Sequence, residues 1–152
     1  MKDQIVIQER GMDDAEYAGV VAGFAEHAAE CGVPHQEPER LGYVAEAAGE
    51  CIGASSGLAY RDSDSDRYAD WFFLTDLYVD KSYRRCGIGS RLLVSLETRV
   101  AGLGIGNIYT WTAGYEAPSF YATHGYRVFL EKTGFYGGGH SRLGLAKTLR
   151  SA

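Results

Sequence analysis

The chain has 152 residues, 45% hydrophobic and 23% charged, which excludes a disordered or fibrous protein and fits a single domain over 1–152 that buries its own core. A net charge of -5 with no basic cluster argues against a nucleic-acid binder, and no apolar run approaches the length of a membrane span. Cys31, Cys51 and Cys86 form no Cys-x-x-Cys pair and Met1 to Gln4 carries no signal-peptide pattern, so a cytoplasmic protein with no metal is expected.

Gln4 to Gln8 reads as a short strand. Asp13 stands three residues before Glu16, a capping-box start, and Ala18, Val21, Ala25 and Ala28 follow at helical spacing. A helix is therefore predicted from 13 to about 30, ended by Cys31-Gly32-Val33-Pro34. Leu41 to Ala47 and Glu50 to Tyr60 read as strands joined by a hairpin at Ala48-Gly49. Arg61 to Asp70 is a polar loop whose acidic residues Asp62, Asp64, Asp66 and Asp70 suit either a solvated loop or an acidic rim for a cationic substrate.

Trp71 to Val79, apolar on both faces except at Thr75 and Asp76, reads as a central strand. After Tyr83 to Gly89, the residues Ile88, Leu92, Leu96, Val100 and Leu103 make one face of a helix that ends near Gly102 to Gly106. Asn107 to Thr112 is the next strand. Ala117 to Thr123 is a short helix with Pro118 in its first turn. Tyr126 to Glu131 and Ser141 to Leu149 are the last strands, separated by a loop holding Gly137-Gly138-Gly139. This order predicts an α/β (α+β) fold, a mixed sheet with helices on its faces.

The strongest chemical signal is a strand, then Arg84-Arg85-Cys86-Gly87-Ile88-Gly89, then an amphipathic helix. Free N–H groups at a helix N-terminus attract a phosphate, and the helix dipole adds to that attraction. Gly87 and Gly89 let a phosphate approach the backbone, while Arg84 and Arg85 offer charge-assisted contacts. A third glycine and a Gly-Lys-Ser/Thr ending are both missing, which argues against a dinucleotide fingerprint and a nucleoside-triphosphate loop. On its own, a glycine pair at such a turn is equally a simple tight turn.

Leu77-Tyr78-Val79 followed four residues later by Arg84-x-x-Gly87-x-Gly89 resembles the acetyl-CoA signature of the GCN5-related N-acetyltransferase (GNAT) superfamily. A second block, Ala117-Pro118-Ser119-Phe120-Tyr121-Ala122-Thr123-His124-Gly125-Tyr126, resembles its A-x-x-F-Y-x-x-x-G-F/Y segment. The resemblance implies a mixed, mostly antiparallel sheet whose fourth and fifth strands, here 71–79 and 107–112, splay apart around the cofactor. It implies acetyl-CoA as acyl donor, its pyrophosphate on the backbone of Arg85, Cys86, Gly87, Ile88, Gly89 and Ser90, and its pantetheine along Leu77, Tyr78 and Val79. It also implies a homodimer. Gly114 departs from a customary asparagine.

Direct acetyl transfer needs a deprotonated amine, a polarised carbonyl and a protonated leaving thiolate. Tyr121 matches the family's proton donor, and a packed core tyrosine is the competing reading. For the base, Asp76 is expected to face the other side of the sheet from Thr75, which stands where some relatives carry glutamate. Glu116 and His140 are further candidates, and so is a water chain; His140 suits proton abstraction near neutral pH. Thr75, Tyr115, Glu116 and Tyr136 are the expected acceptor contacts, with Tyr17, Phe24 and Phe135 as possible neighbours. The expected partner is a small-molecule amine. A protein amine, a non-catalytic acyl-CoA sensor and a fold used only as an interaction module are the alternatives.

Overall fold

In a computed structural model of the protein, residues 3–149 are described. They divide into two compact units, one up to His35 and one from Gln36 onward. In the first unit, helix α1 (Asp14–Glu30) begins with the expected capping box, in which the Asp13 carboxylate accepts from the Glu16 amide at 2.8 Å and Glu16 accepts from the Asp13 amide at 3.0 Å. Arg10 donates to both Glu16 oxygens at 2.8 Å. The strand expected over Gln4 to Gln8 is absent. A strand is stable only when its backbone groups are paired, and none of these residues has a strand partner.

The second unit is one six-stranded sheet with strands β1 (Gln36–Ala47), β2 (Glu50–Asp62), β3 (Trp71–Val79), β4 (Asn107–Ala113), β5 (Arg127–Lys132) and β6 (Arg142–Thr148), in the spatial order β1-β2-β3-β4-β6-β5. Only β3 and β4 pair in parallel, and every other neighbour is antiparallel. Strand β1 starts earlier than expected and runs through Pro38, which an edge strand tolerates because one side of its ladder is unused. The Ala48-Gly49 turn has positive φ at both residues, 52° and 80°, the twist that a two-residue hairpin requires.

Helix α2 (Ile88–Gly102) buries Leu93, Leu96 and Val100 against the sheet residues Phe72, Leu74, Ile108 and Leu145, and Leu92 is buried as well. Each fully buried Leu or Phe contributes about 1.5–3 kcal/mol. Helix α3 (Pro118–Thr123) adds Tyr121, and Tyr126 follows it into the core. One buried position breaks the apolar pattern. Glu97 on α2 accepts from Lys147 Nζ at 3.0 Å to each oxygen and from the Tyr126 hydroxyl at 2.9 Å. The carboxylate is thereby neutralised and fully bonded, the condition under which a buried charge is tolerated.

Candidate active site

The register of β3 sets the site. Strands β3 and β4 pair from Trp71↔Asn107 to Leu74↔Thr110 and no further. At this last pair the Thr110 hydroxyl donates to the Leu74 carbonyl at 2.9 Å and closes the ladder. On the other side of β3 the register slips, with Ser56 opposite Asp76 and Gly57 opposite Leu74, so Thr75 is a bulge. Beyond it the strands part, and the backbone of Leu77 to Val79 that faces β4 has no strand partner. The expected splay is therefore present between β3 and β4, each one place earlier in the strand count because the N-terminal strand is missing.

The bulge also resets the alternation. Leu77 joins Phe72 and Leu74 on the core side, while Asp76 stays beside Thr75, whose hydroxyl contacts its carboxylate at 2.6 Å. The expectation that these two side chains point to opposite faces is corrected by that extra residue. Arg40 donates to Thr75 Oγ1 and Ser56 Oγ at 2.9 Å each, and it lies 3.8 Å from Asp76.

Under the open end of the fork lies a cavity of about 750 Å³. Leu77, Tyr78 and Val79 form one wall. Arg84, Arg85, Gly87, Ile88, Gly89 and Ser90 form a second, and Thr112, Tyr115, Glu116, Phe120 and Tyr121 a third. In the second wall, Gly87 is the N-cap of α2 with φ 76°, a left-handed conformation that only glycine adopts cheaply, and no side chain caps the helix. The first helical bond there runs from the Arg91 amide to the Gly87 carbonyl, which leaves the amides of Ile88, Gly89 and Ser90 without intrahelical acceptors. Arg85 also has positive φ, 61°, and such alternation turns successive amides toward one point.

Arg84 is partly committed: its Nε donates to the Val79 carbonyl at 2.9 Å, and its guanidinium lies 5.7 Å from the Tyr78 ring centre. Cys86 is the one residue of 84–90 that does not line the cavity. Its thiol lies 3.5 Å from the Arg84 carbonyl.

Tyr121 is buried and reaches the cavity from below. Burial pushes its phenol up to about 12, a hydroxyl contact with Thr110 pulls it partly back, and the charge of Glu116 pushes it up again. Its ring meets Tyr126 edge-on at 5.4 Å. Burial, then the Glu97 carboxylate, holds the Tyr126 phenol far above its ordinary range. Glu116 is the only carboxylate among the cavity-lining residues, and it accepts from Thr112 Oγ1 at 3.1 Å.

His140, Tyr136 and Thr75 do not line the cavity. His140 is exposed and packs edge-on against Tyr115 at 5.0 Å. Tyr136 meets Tyr115 at 5.6 Å without lining the cavity, and Thr75 is held in the cluster with Arg40. Tyr17 and Phe24 are exposed on α1. In the acidic loop, Asp70 accepts from the Gly106 amide at 2.9 Å and from Asn107 Nδ2 at 3.2 Å, and Asp66 pairs with Arg61. That loop precedes the closed end of the fork and contributes nothing to the cavity wall. Thr110 and Thr112 were missed from sequence. Their signal is faint: two hydroxyls at alternate positions of an otherwise apolar strand, on the face turned to the helices.

A profile of the acetyltransferase (GNAT) domain matches residues 38–128. The L-ornithine N5-acetyltransferase NATA1 of Arabidopsis thaliana is 26% identical over 102 residues, which are 65% of this chain and 44% of the plant protein, so the chain spans less than half of that relative. An acetyltransferase from Bacillus cereus has the same fold with a TM-score of 0.77 at 22% identity, over 93% of this chain and 97% of the other. An aminoglycoside 6'-N-acetyltransferase solved with coenzyme A superposes with a TM-score of 0.63 at 24% identity, over 84% and 81% of the two chains.

Proposed function

The chain belongs to the acetyltransferase (GNAT) domain family, and from that premise we propose that it transfers an acetyl group from acetyl-CoA to the primary amine of a small molecule. The observation that carries this reading is the buried Tyr121 hydroxyl, which lies under the open end of the fork within the same cavity as the uncapped start of α2. The residues present fit acetyl-CoA. The amides of Ile88, Gly89 and Ser90, with the Arg85 side chain, would hold the pyrophosphate, and the edge of Leu77 to Val79 that has no strand partner would hold the pantetheine amides. The bound donor supplies an activated thioester carbonyl. The relatives support an amine acceptor, since by name one acts on ornithine and another on aminoglycosides.

Each residue then has a distinct task. Glu116 attracts the acceptor ammonium and takes its proton, because no other carboxylate and no imidazole lines the cavity. Phe120 and Tyr115 line that end of the cavity with apolar ring surface. As the bond to sulfur breaks, Tyr121 gives its proton to the departing thiolate. A phenol raised to about 12 is fully protonated at neutral pH, so the donor is always loaded. His140 serves as a positioning residue behind Tyr115 rather than as the base.

Calorimetric titration with acetyl-CoA tests the cofactor assignment. Binding by the parent, abolished in a folded Gly87→Glu/Gly89→Glu double variant, is the expected result. A folded parent that binds no acetyl-CoA overturns the proposal. Release of free thiol across a panel of primary amines then identifies the acceptor.

A further inference from the structure

Two cations stand together on the sheet face away from α2 without an acid between them. Lys132 and Arg142 are direct partners across the β5–β6 ladder. Like charges placed directly opposite repel. Lys132 Nζ lies 4.8 Å from the Trp111 ring centre and 5.5 Å from that of Phe135, and the Arg142 guanidinium lies 5.1 Å from both. Neither cation forms an ion pair among the described residues, although the chain carries 20 acidic against 15 basic residues. The other pairs show what this fold does elsewhere: Arg10 has Glu16, Arg61 has Asp66 and Lys147 has Glu97. Arg142 Nε is buried with no hydrogen-bond partner. Such a group is costly unless something bonds it.

The platform beneath these cations is built. Gly144 has no Cβ where one would stand 2.9 Å from the Trp111 ring and 2.6 Å from that of Phe129, so both rings close over β6, edge-to-face with each other at 5.6 Å. The cluster is linked to the cavity wall through the backbone and a row of rings, although none of its residues lines the cavity. Arg142 pairs with Ala113, and the Gly114 amide donates to the Ser141 carbonyl at 2.8 Å, immediately before Tyr115 and Glu116. A row of rings closes the connection, from Tyr115 to Tyr136 and from Tyr136 to Phe135.

We infer that Lys132 and Arg142, seated on Trp111 and Phe135, form an anion subsite that takes the carboxylate of the acceptor. The acceptor class is then an amino acid or similar compound, with the reacting amine at Glu116 and a carboxylate at the far end of the ring row. This inference rests on the acetyltransferase reading for its catalytic consequence. The anion site itself does not depend on that reading.

The experiment measures kcat/KM by thiol release, at saturating acetyl-CoA, for γ-aminobutyrate, δ-aminovalerate and ε-aminocaproate, each against its carboxamide. In the parent, at least one carboxylate should exceed its amide by on the order of tenfold or more, the worth of one charge-assisted bond. Arg142→Gln and Lys132→Gln should each shrink that gap, and Arg142→Lys should restore part of it. Circular dichroism and the melting temperature certify that each variant is folded. Equal values for every pair, or a gap that survives both glutamine variants, overturns the inference while leaving the acetyltransferase reading intact. Should no amine be acetylated, the same amino acids are titrated calorimetrically into the CoA-saturated protein. Heat in the parent that is missing in Arg142→Gln keeps the anion site and excludes these three amines as acceptors, whereas equal heat in both overturns the inference. No heat in the parent with any of the three overturns the inference.

Discussion

The closed and open ends of the β3–β4 fork are made from the same two strands and do opposite things. At the closed end Phe72, Leu74 and Ile108 are buried, Phe73 stacks on Tyr109 at 4.8 Å, and Asp70 ties the Gly106 and Asn107 backbone and side chain to the start of β3. There, ladder bonds and apolar area are spent on stability. At the open end the ladder stops at Leu74↔Thr110, and beyond that pair lie a backbone edge without a strand partner, an uncapped helix and the buried residues Tyr121 and Thr112 with their hydroxyls. The difference teaches that the site is made by withholding bonds that the sheet would otherwise form. A single bulge at Thr75 and a single hydroxyl at Thr110 mark the boundary.

The comparison breaks if a change at the open end costs stability rather than activity. Tyr121→Phe is the largest test. It keeps the ring in the core and removes the proton donor, so kcat should fall about 10²–10⁴-fold while the melting temperature moves little. A variant with full turnover would return Tyr121 to the role of a packing residue. Lys147→Met probes the stability side. It leaves the Glu97 carboxylate buried with only the Tyr126 hydroxyl, and urea unfolding should show a loss of about 3 kcal/mol or more. Acetyl-CoA affinity of the folded protein should not change, since neither Lys147 nor Glu97 lines the cavity.

Much of this was legible in the sequence because local rules carried it. The Asp13/Glu16 box, the Ala48-Gly49 turn, the apolar run of β3 and the glycine turn before α2 each announce themselves within a few residues. Where pairing across the chain decides, the reading fell short. Residues 4–8 carry the β-branched run Ile5-Val6-Ile7 but find no partner. The phase of Asp76 depends on a bulge set by the β2 register, which no window around Asp76 reveals. His140 and Thr75 have the right chemistry, yet the fold turns one against Tyr115 and ties the other to Arg40. Lys132 and Arg142 are ten residues apart in sequence, and only the β5–β6 register makes them neighbours.

Tyr121 belongs to both ends of the comparison, packed in the core and lining the cavity, and pH separates its two contributions. Its folded phenol is raised to about 12 by burial, against about 10 in an unfolded chain. The fold therefore favours the protonated form. That contribution is fully present below pH about 10 and is lost as pH rises through about 12. Two units correspond to about 2.7 kcal/mol at the limit. Urea unfolding of the parent from pH about 8 to about 11.5 should accordingly show stability falling more steeply than in Tyr121→Phe, with the excess slope approaching one proton, about 1.4 kcal/mol per pH unit. Tyr126 is present in both proteins, so its own raised phenol cancels in the difference. Parallel curves would mean that water reaches the Tyr121 hydroxyl freely, and a hydroxyl so hydrated would belong to the open end alone.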